Sequence, residues 1–89
     1  MLIRQVTVTN RLGLHARAAA KFVTVAARFG ADIRVRREGR EVNGKSIMGV
    51  MMLAAARGAC LELQAAGEDA EQALDCLEDL VLRRFGEDE

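Results

Sequence analysis

Two hydrophobic periods take turns along this chain, and their order leaves few folds open. Residues 2–9 are rich in Ile, Val and Thr and put Leu2, Val6 and Val8 on one side, the period-two signature of a strand. Residues 16–29 switch to helical spacing, with Ala19, Phe22, Val23, Ala26 and Ala27 on one face and Gly30 at the expected C-terminus. Ile33 and Val35 then alternate with Asp32, Arg34 and Arg36. Glu38-Gly39 signals a turn, so residues 40–42 return as a short antiparallel partner. Ser46 stands in the N-cap place of a short apolar helix over 47–56 that Gly58 ends. Leu61, Leu63 and Ala65 alternate with Cys60, Glu62 and Gln64 before Gly67 breaks the strand. Ala70, Ala73, Leu74, Leu77, Leu80 and Val81 mark an amphipathic last helix. Glu68, Asp69 and Glu71 enrich its start with acid, and Arg83 and Arg84 its end with base, as the macrodipole prefers.

The predicted order is therefore β-α-β-β-α-β-α, an α+β class. Helices stacked on one face of an antiparallel sheet bury the alternating apolar rows. Each fully buried Leu, Ile or Val contributes roughly 1.5–3 kcal/mol, enough for one core in a single domain spanning residues 1–89.

Composition removes several function classes. Lys plus Arg equals Asp plus Glu at 13 each, and the only aromatics are three Phe, which argues against general nucleic-acid binding. The basic run Arg34, Arg36, Arg37 and Arg40 reads as a solvated strand face. One histidine and two distant cysteines, Cys60 and Cys76, make no metal set, and the cysteines read as reduced, buried thiols. No cofactor motif is present. The N-terminus lacks a secretory pattern, and residues 46–56, the longest weakly polar run, are too short to span a bilayer. The expectation is a soluble, cytoplasmic monomer.

The one histidine, His15, sits where the first strand gives way to the first helix. Imidazole, with an ordinary pKa of about 6.5, is a nucleophile near neutral pH. A helix start offers free N–H groups, here those of Ala16 and Arg17, and the positive end of a dipole to an anion. The Arg17 guanidinium can neutralise phosphate oxygens through a forked contact. Gly13 lets the chain turn closely before the helix.

Two segments carry a family signature. Asn10-Arg11-Leu12-Gly13-Leu14-His15-Ala16-Arg17 and Asn43-Gly44-Lys45-Ser46-Ile47-Met48-Gly49-Val50-Met51 resemble the two signature regions of the HPr-type phosphocarriers of the bacterial phosphoenolpyruvate-dependent phosphotransferase system. Their separation, the chain length and the element order fit as well. The resemblance implies an open-faced β-sandwich, four antiparallel strands with three helices on one side. It implies that His15 takes a phosphoryl group on Nδ1 from phosphorylated enzyme I and passes it to an enzyme IIA-type protein, with Arg17 beside the phosphate. The chain would be a covalent carrier rather than an enzyme with its own turnover, serving sugar uptake or a nitrogen-related regulatory branch. Many members carry proline where this chain has Ala18, which bears on the rigidity of the helix start rather than on its chemistry.

Two further features follow from the same resemblance. The serine matching Ser46 is a regulatory phosphorylation site in Gram-positive members, which adds an HPr kinase/phosphorylase to the candidate partners; the N-cap role accounts for Ser46 without such a switch. Met48, Met51 and Met52 share a helical face. Core filling is one reading of them; the other is an adaptable docking patch, with Ile47, Met48 and Met51 as the expected contacts and Met52 open. The competing function is a non-transferring regulatory module on the same fold, against which His15 with Arg17 argues. A generic ligand-binding domain would need a pocket that the sequence does not show.

Overall fold

Four strands and three helices form in the expected order in the computed structural model, which describes residues 1–89. They are β1 (Leu2–Thr7), α1 (Ala16–Ala26), β2 (Asp32–Arg37), β3 (Arg40–Asn43), α2 (Ile47–Met52), β4 (Cys60–Ala66) and α3 (Ala70–Leu82), followed by a 3-10 turn at Arg84–Gly86. The strands make one antiparallel sheet in the order β1-β4-β2-β3. Its register sets Val6 opposite Leu61 and Leu63 opposite Val35, so apolar partners share a face. That face packs against the helices in one cluster of 23 buried apolar residues. The other face carries Gln5, Thr7, Asp32 and Arg36 and stays open. Arg4 lies in the same row as Val6 and uses its edge position to reach α3, with its guanidinium 2.8 Å from Asp75 and 2.9 Å from Glu78.

Several boundaries differ from the sequence reading, each for a local reason. β1 stops at Thr7, two residues early, although Val8 keeps two backbone bonds, to Ala59 and Gly58. Leu2, at the edge, is exposed. α1 ends at Ala26: Arg28 and Phe29 bond back to Val25 and Ala26 at tighter i−3 spacing, and Ala27 is exposed. Gly30 is no left-handed cap; its N–H and that of Ala31 donate to the Asp69 carboxylate at 2.8 and 2.9 Å, which locks the connection to β2. β3 runs one residue further than read, to Asn43.

α2 ends at Met52 rather than at residue 56, and Gly58 does not terminate it. Ala54 takes a left-handed φ of 49°, and the chain leaves the helix there. Two arginines read as a solvated face serve this end. Arg37 donates to the Leu53 carbonyl at 3.1 Å and Arg40 to the Met52 carbonyl at 2.9 Å, satisfying acceptors that a helix C-terminus leaves open. Arg83 and Arg84 likewise fall beyond the last turn of α3. The cysteines are free, but both are exposed rather than buried. Cys60 alternates with buried Leu61 and so faces outward beside Thr7, and Cys76 occupies the outer side of α3, next to buried Leu77.

Candidate functional site

The segment between β1 and α1 is fixed before its histidine is placed. Asn10 is fully buried, and its Nδ2 donates to the Gly13 carbonyl at 2.8 Å across a turn closed by the Gly13 N–H on the Asn10 carbonyl. Gly13 has φ +66°, and a Cβ there would sit 2.4 Å from the Ala55 carbonyl oxygen, so glycine is required twice over. The Leu14 N–H donates to that same Ala55 carbonyl at 2.9 Å. The residues that leave α2 early thus become the wall against which the loop before α1 is set.

His15 follows with extended backbone, φ −67° and ψ 174°, and is the N-cap of α1. Its ring does the work usually done by a Ser or Asp oxygen: Nδ1 accepts the Arg17 N–H at 3.3 Å. Since Nδ1 accepts, the proton of a neutral ring lies on Nε2. Nε2 faces Glu87 Oε2 at 2.5 Å. The other carboxylate oxygen, Oε1, accepts Asn10 Nδ2 at 3.0 Å. Burial pushes the Glu87 carboxyl up, but hydrogen bonds from His15 and Asn10 and the charges of His15 and Lys21 outweigh it and leave it below the usual range.

An open groove is lined by Arg11, Leu12, His15, Ala16, Arg17 and the tail residues 87–89. Arg17 is exposed there, and none of the salt bridges engages its guanidinium. Ala18 is fully buried and keeps the first turn helical without proline. His15, Ala16 and Arg17 all line this groove. The other expected residues lie on α2, which packs against α1. Ser46 caps it, with Oγ accepting the Gly49 N–H at 3.0 Å. Ile47, Met48 and Met51 are exposed, Met48 most of all at 75 %, and Met52 is exposed too, so the methionines do not fill the core. Val50 anchors the helix inward.

Two residues of the site carried no role in the sequence reading. Asn10 was part of the quoted signature, and its burial between polar neighbours gave no periodic signal. Glu87 lies 72 residues from His15, in an acidic tail after the last amphipathic helix. The one hint was Phe85, an apolar residue stranded between Arg84 and Gly86.

A second cleft, bordered by Arg36, Arg37, Arg57 and Cys60, holds none of these residues. No group of three or more His, Cys, Asp or Glu side chains is placed to hold a metal ion, and no helix is long and apolar enough to cross a membrane.

Known proteins agree with this arrangement along the whole chain. Residues 2–82 match the family described as the PTS HPr component phosphorylation site. The phosphocarrier protein HPr of Cupriavidus necator is 49% identical over 89 residues, covering 100% of both chains. That of Pseudomonas aeruginosa is 52% identical over 86 residues, 96% of each. The crystal structure of HPr-C-His from Thermoanaerobacter tengcongensis superimposes with a TM-score of 0.96 at 42% identity, covering 100% of both chains. A histidine capping the first helix of an open-faced α+β sandwich, in a chain so matched from end to end, leaves one conclusion: the chain belongs to the HPr family of phosphocarriers of the phosphotransferase system.

Proposed function

We propose that His15 is the phosphoryl acceptor of this carrier, taking the group on Nδ1 from phosphorylated enzyme I and passing it to an enzyme IIA-type protein in the cytoplasm. The observation that carries this reading is the ring's orientation: Nδ1 points at the N-terminus of α1, and Nε2 is taken by Glu87. The Nδ1 lone pair attacks phosphorus, the donor's N–P bond breaks, and its electron pair returns to the donor. The Arg17 N–H then turns from Nδ1 to a phosphoryl oxygen, with the Ala16 N–H beside it and the helix dipole favouring the added charge. The free Arg17 guanidinium supplies a forked cationic contact to the remaining oxygens.

Partner binding falls to the exposed apolar face of α2. Ile47, Met48 and Met51 present flexible side chains that can adapt to a donor and an acceptor of different shape. The proposed carrier acts as a monomer. Ser46 is satisfied as a cap, and modification by an HPr kinase/phosphorylase would place a dianion at the same helix start. The unpaired Arg17 guanidinium beside an Nδ1 engaged only by the long 3.3 Å bond from the Arg17 N–H favours transfer over a purely regulatory binding role.

Incubation with phosphoenolpyruvate and enzyme I tests this. The wild-type protein gains an acid-labile label, and His15→Ala gains none. Undiminished labelling of that variant would overturn the assignment. Offering labelled protein to a sugar-type and a nitrogen-type enzyme IIA then shows which branch it serves.

A further inference from the structure

We propose that Glu87 is a positioning residue for this relay, holding a proton on Nε2 of His15 so that Nδ1 attacks on arrival and a neutral imidazole leaves on departure. The inference rests on the carrier reading and adds to it a residue from the far end of the chain. Three contacts carry it. Glu87 Oε2 lies 2.5 Å from Nε2, Oε1 accepts Asn10 Nδ2 at 3.0 Å, and Asn10 is itself tied to the Gly13 carbonyl at 2.8 Å. The line Gly13–Asn10–Glu87–His15 is a nucleophile oriented by a second group that is oriented by a third.

The chemistry explains what the proton is for. When Nδ1 gains phosphorus and Nε2 keeps its proton, the ring carries a positive charge, and the Glu87 carboxylate balances it. On transfer out, the Nδ1–P electron pair returns to Nδ1, and the ring leaves as neutral imidazole. Without a proton on Nε2 the ring would depart as an imidazolate, a far poorer leaving group, and phosphate would stay trapped. Arg11, Arg17 and Lys21 add positive charge near the ring, and Asp88 and Glu89 add negative charge. Among the carboxylates around the ring, only that of Glu87 sits on a ring nitrogen.

The tail is built to hold this carboxylate. Lys21 Nζ donates to the Phe85 carbonyl at 2.6 Å, and the Arg11 N–H donates to the Glu89 carbonyl at 2.8 Å, one clasp on each side of Glu87. Phe85, the residue held by Lys21, is fully buried.

Glu87→Gln is the informative variant, since an amide has one oxygen where the carboxylate uses two. Asn10 Nδ2 takes that oxygen, and the amide NH2 then faces Nε2. Nitrogen-15 spectra of histidine-labelled, unphosphorylated protein show which ring nitrogen carries the proton. The wild-type neutral ring is expected to be protonated on Nε2. Glu87→Gln is expected to populate the Nδ1-protonated form, and Glu87→Asp, which keeps a carboxylate, to retain the wild-type form. Transfer from the phosphorylated variant to its acceptor is expected to slow about tenfold or more, the equivalent of one charge-assisted hydrogen bond, with KM unchanged.

Wild-type ring spectra in Glu87→Gln would overturn the proposal. So would unchanged turnover with a raised KM, which would make the tail a docking element. Failure of the wild-type protein to label at His15 would overturn the carrier reading instead, and the ring spectra, taken without phosphate, would still judge Glu87.

Discussion

His15 spends both ring nitrogens inside the unphosphorylated protein: Nδ1 closes the first turn of α1, and Nε2 meets a carboxylate from the tail. In the transfer proposed above, a nucleophile that is also a helix cap must surrender the cap to react. The cost is small, since the 3.3 Å bond is long and the phosphoryl oxygens replace it as acceptors. Ser46 makes the contrast plain, because its hydroxyl caps α2 at 3.0 Å and has no ring to spare for chemistry. Ser46→Ala is expected to cost about 1 kcal/mol of unfolding free energy in urea titration. Unchanged stability would mean that water serves the Gly49 N–H equally well. The histidine, the arginine and the loop glycine were legible as residues because their roles are local: a junction, a helix start, a tight turn. Asn10 and Glu87 were not, because their roles exist only when positions 77 apart in sequence touch.

At the scale of elements, period two and period 3.6 marked β1, α1, β2, β4 and α3, while a turn signal marked β3 and a cap before an apolar run marked α2; the errors collect where side chains outside an element decide its end. The apolar run after Met52 continued the helical composition, yet Arg37 and Arg40 from the β2–β3 hairpin take the carbonyls at the end of α2. Ala55 is then free to hold the Gly13–Leu14 backbone. A short α2 therefore does two things at once. It seats the loop before His15, and it leaves Met48 and Met51 facing solvent while Val50 anchors the core. Because these methionines contribute little to the core, replacing both with Ser is expected to change unfolding free energy by less than about 0.5 kcal/mol. Binding to enzyme I is expected to weaken by about tenfold or more, as loss of a central contact cluster does. Calorimetric titration with enzyme I checks the second effect, and wild-type affinity would remove this face from the docking surface.

For the molecule as a whole, the last residues decide how the two ends meet. Arg84, Phe85 and Gly86 have φ values of 56°, 57° and 79°, a left-handed run that costs roughly 1–2 kcal/mol for each non-glycine residue. Full burial of Phe85 returns roughly 1.5–3 kcal/mol, so the reversal is close to neutral, and the contacts beyond it decide whether the tail stays down. The Arg11–Glu89 pair adds little, because both side chains are about two-thirds exposed at 68% and 69%. Glu87 matters more: its side chain is only 18% exposed, and each of its oxygens has a partner. Its carboxyl lies below the ordinary value of 4.5 in the folded protein. A depressed carboxyl binds its proton less readily folded than unfolded, so its stabilisation is complete above about pH 4.5 and is lost as pH falls through the lower folded value. Urea titrations between pH 7 and pH 3 are therefore expected to show the wild-type protein losing stability more steeply below pH 4.5 than Glu87→Gln, which has no proton to take up at this position. The difference between the two proteins should be largest near neutrality and shrink toward pH 3. Parallel acid limbs would show that the tail carboxylate, though seated on His15, contributes nothing to holding the two ends of the chain together.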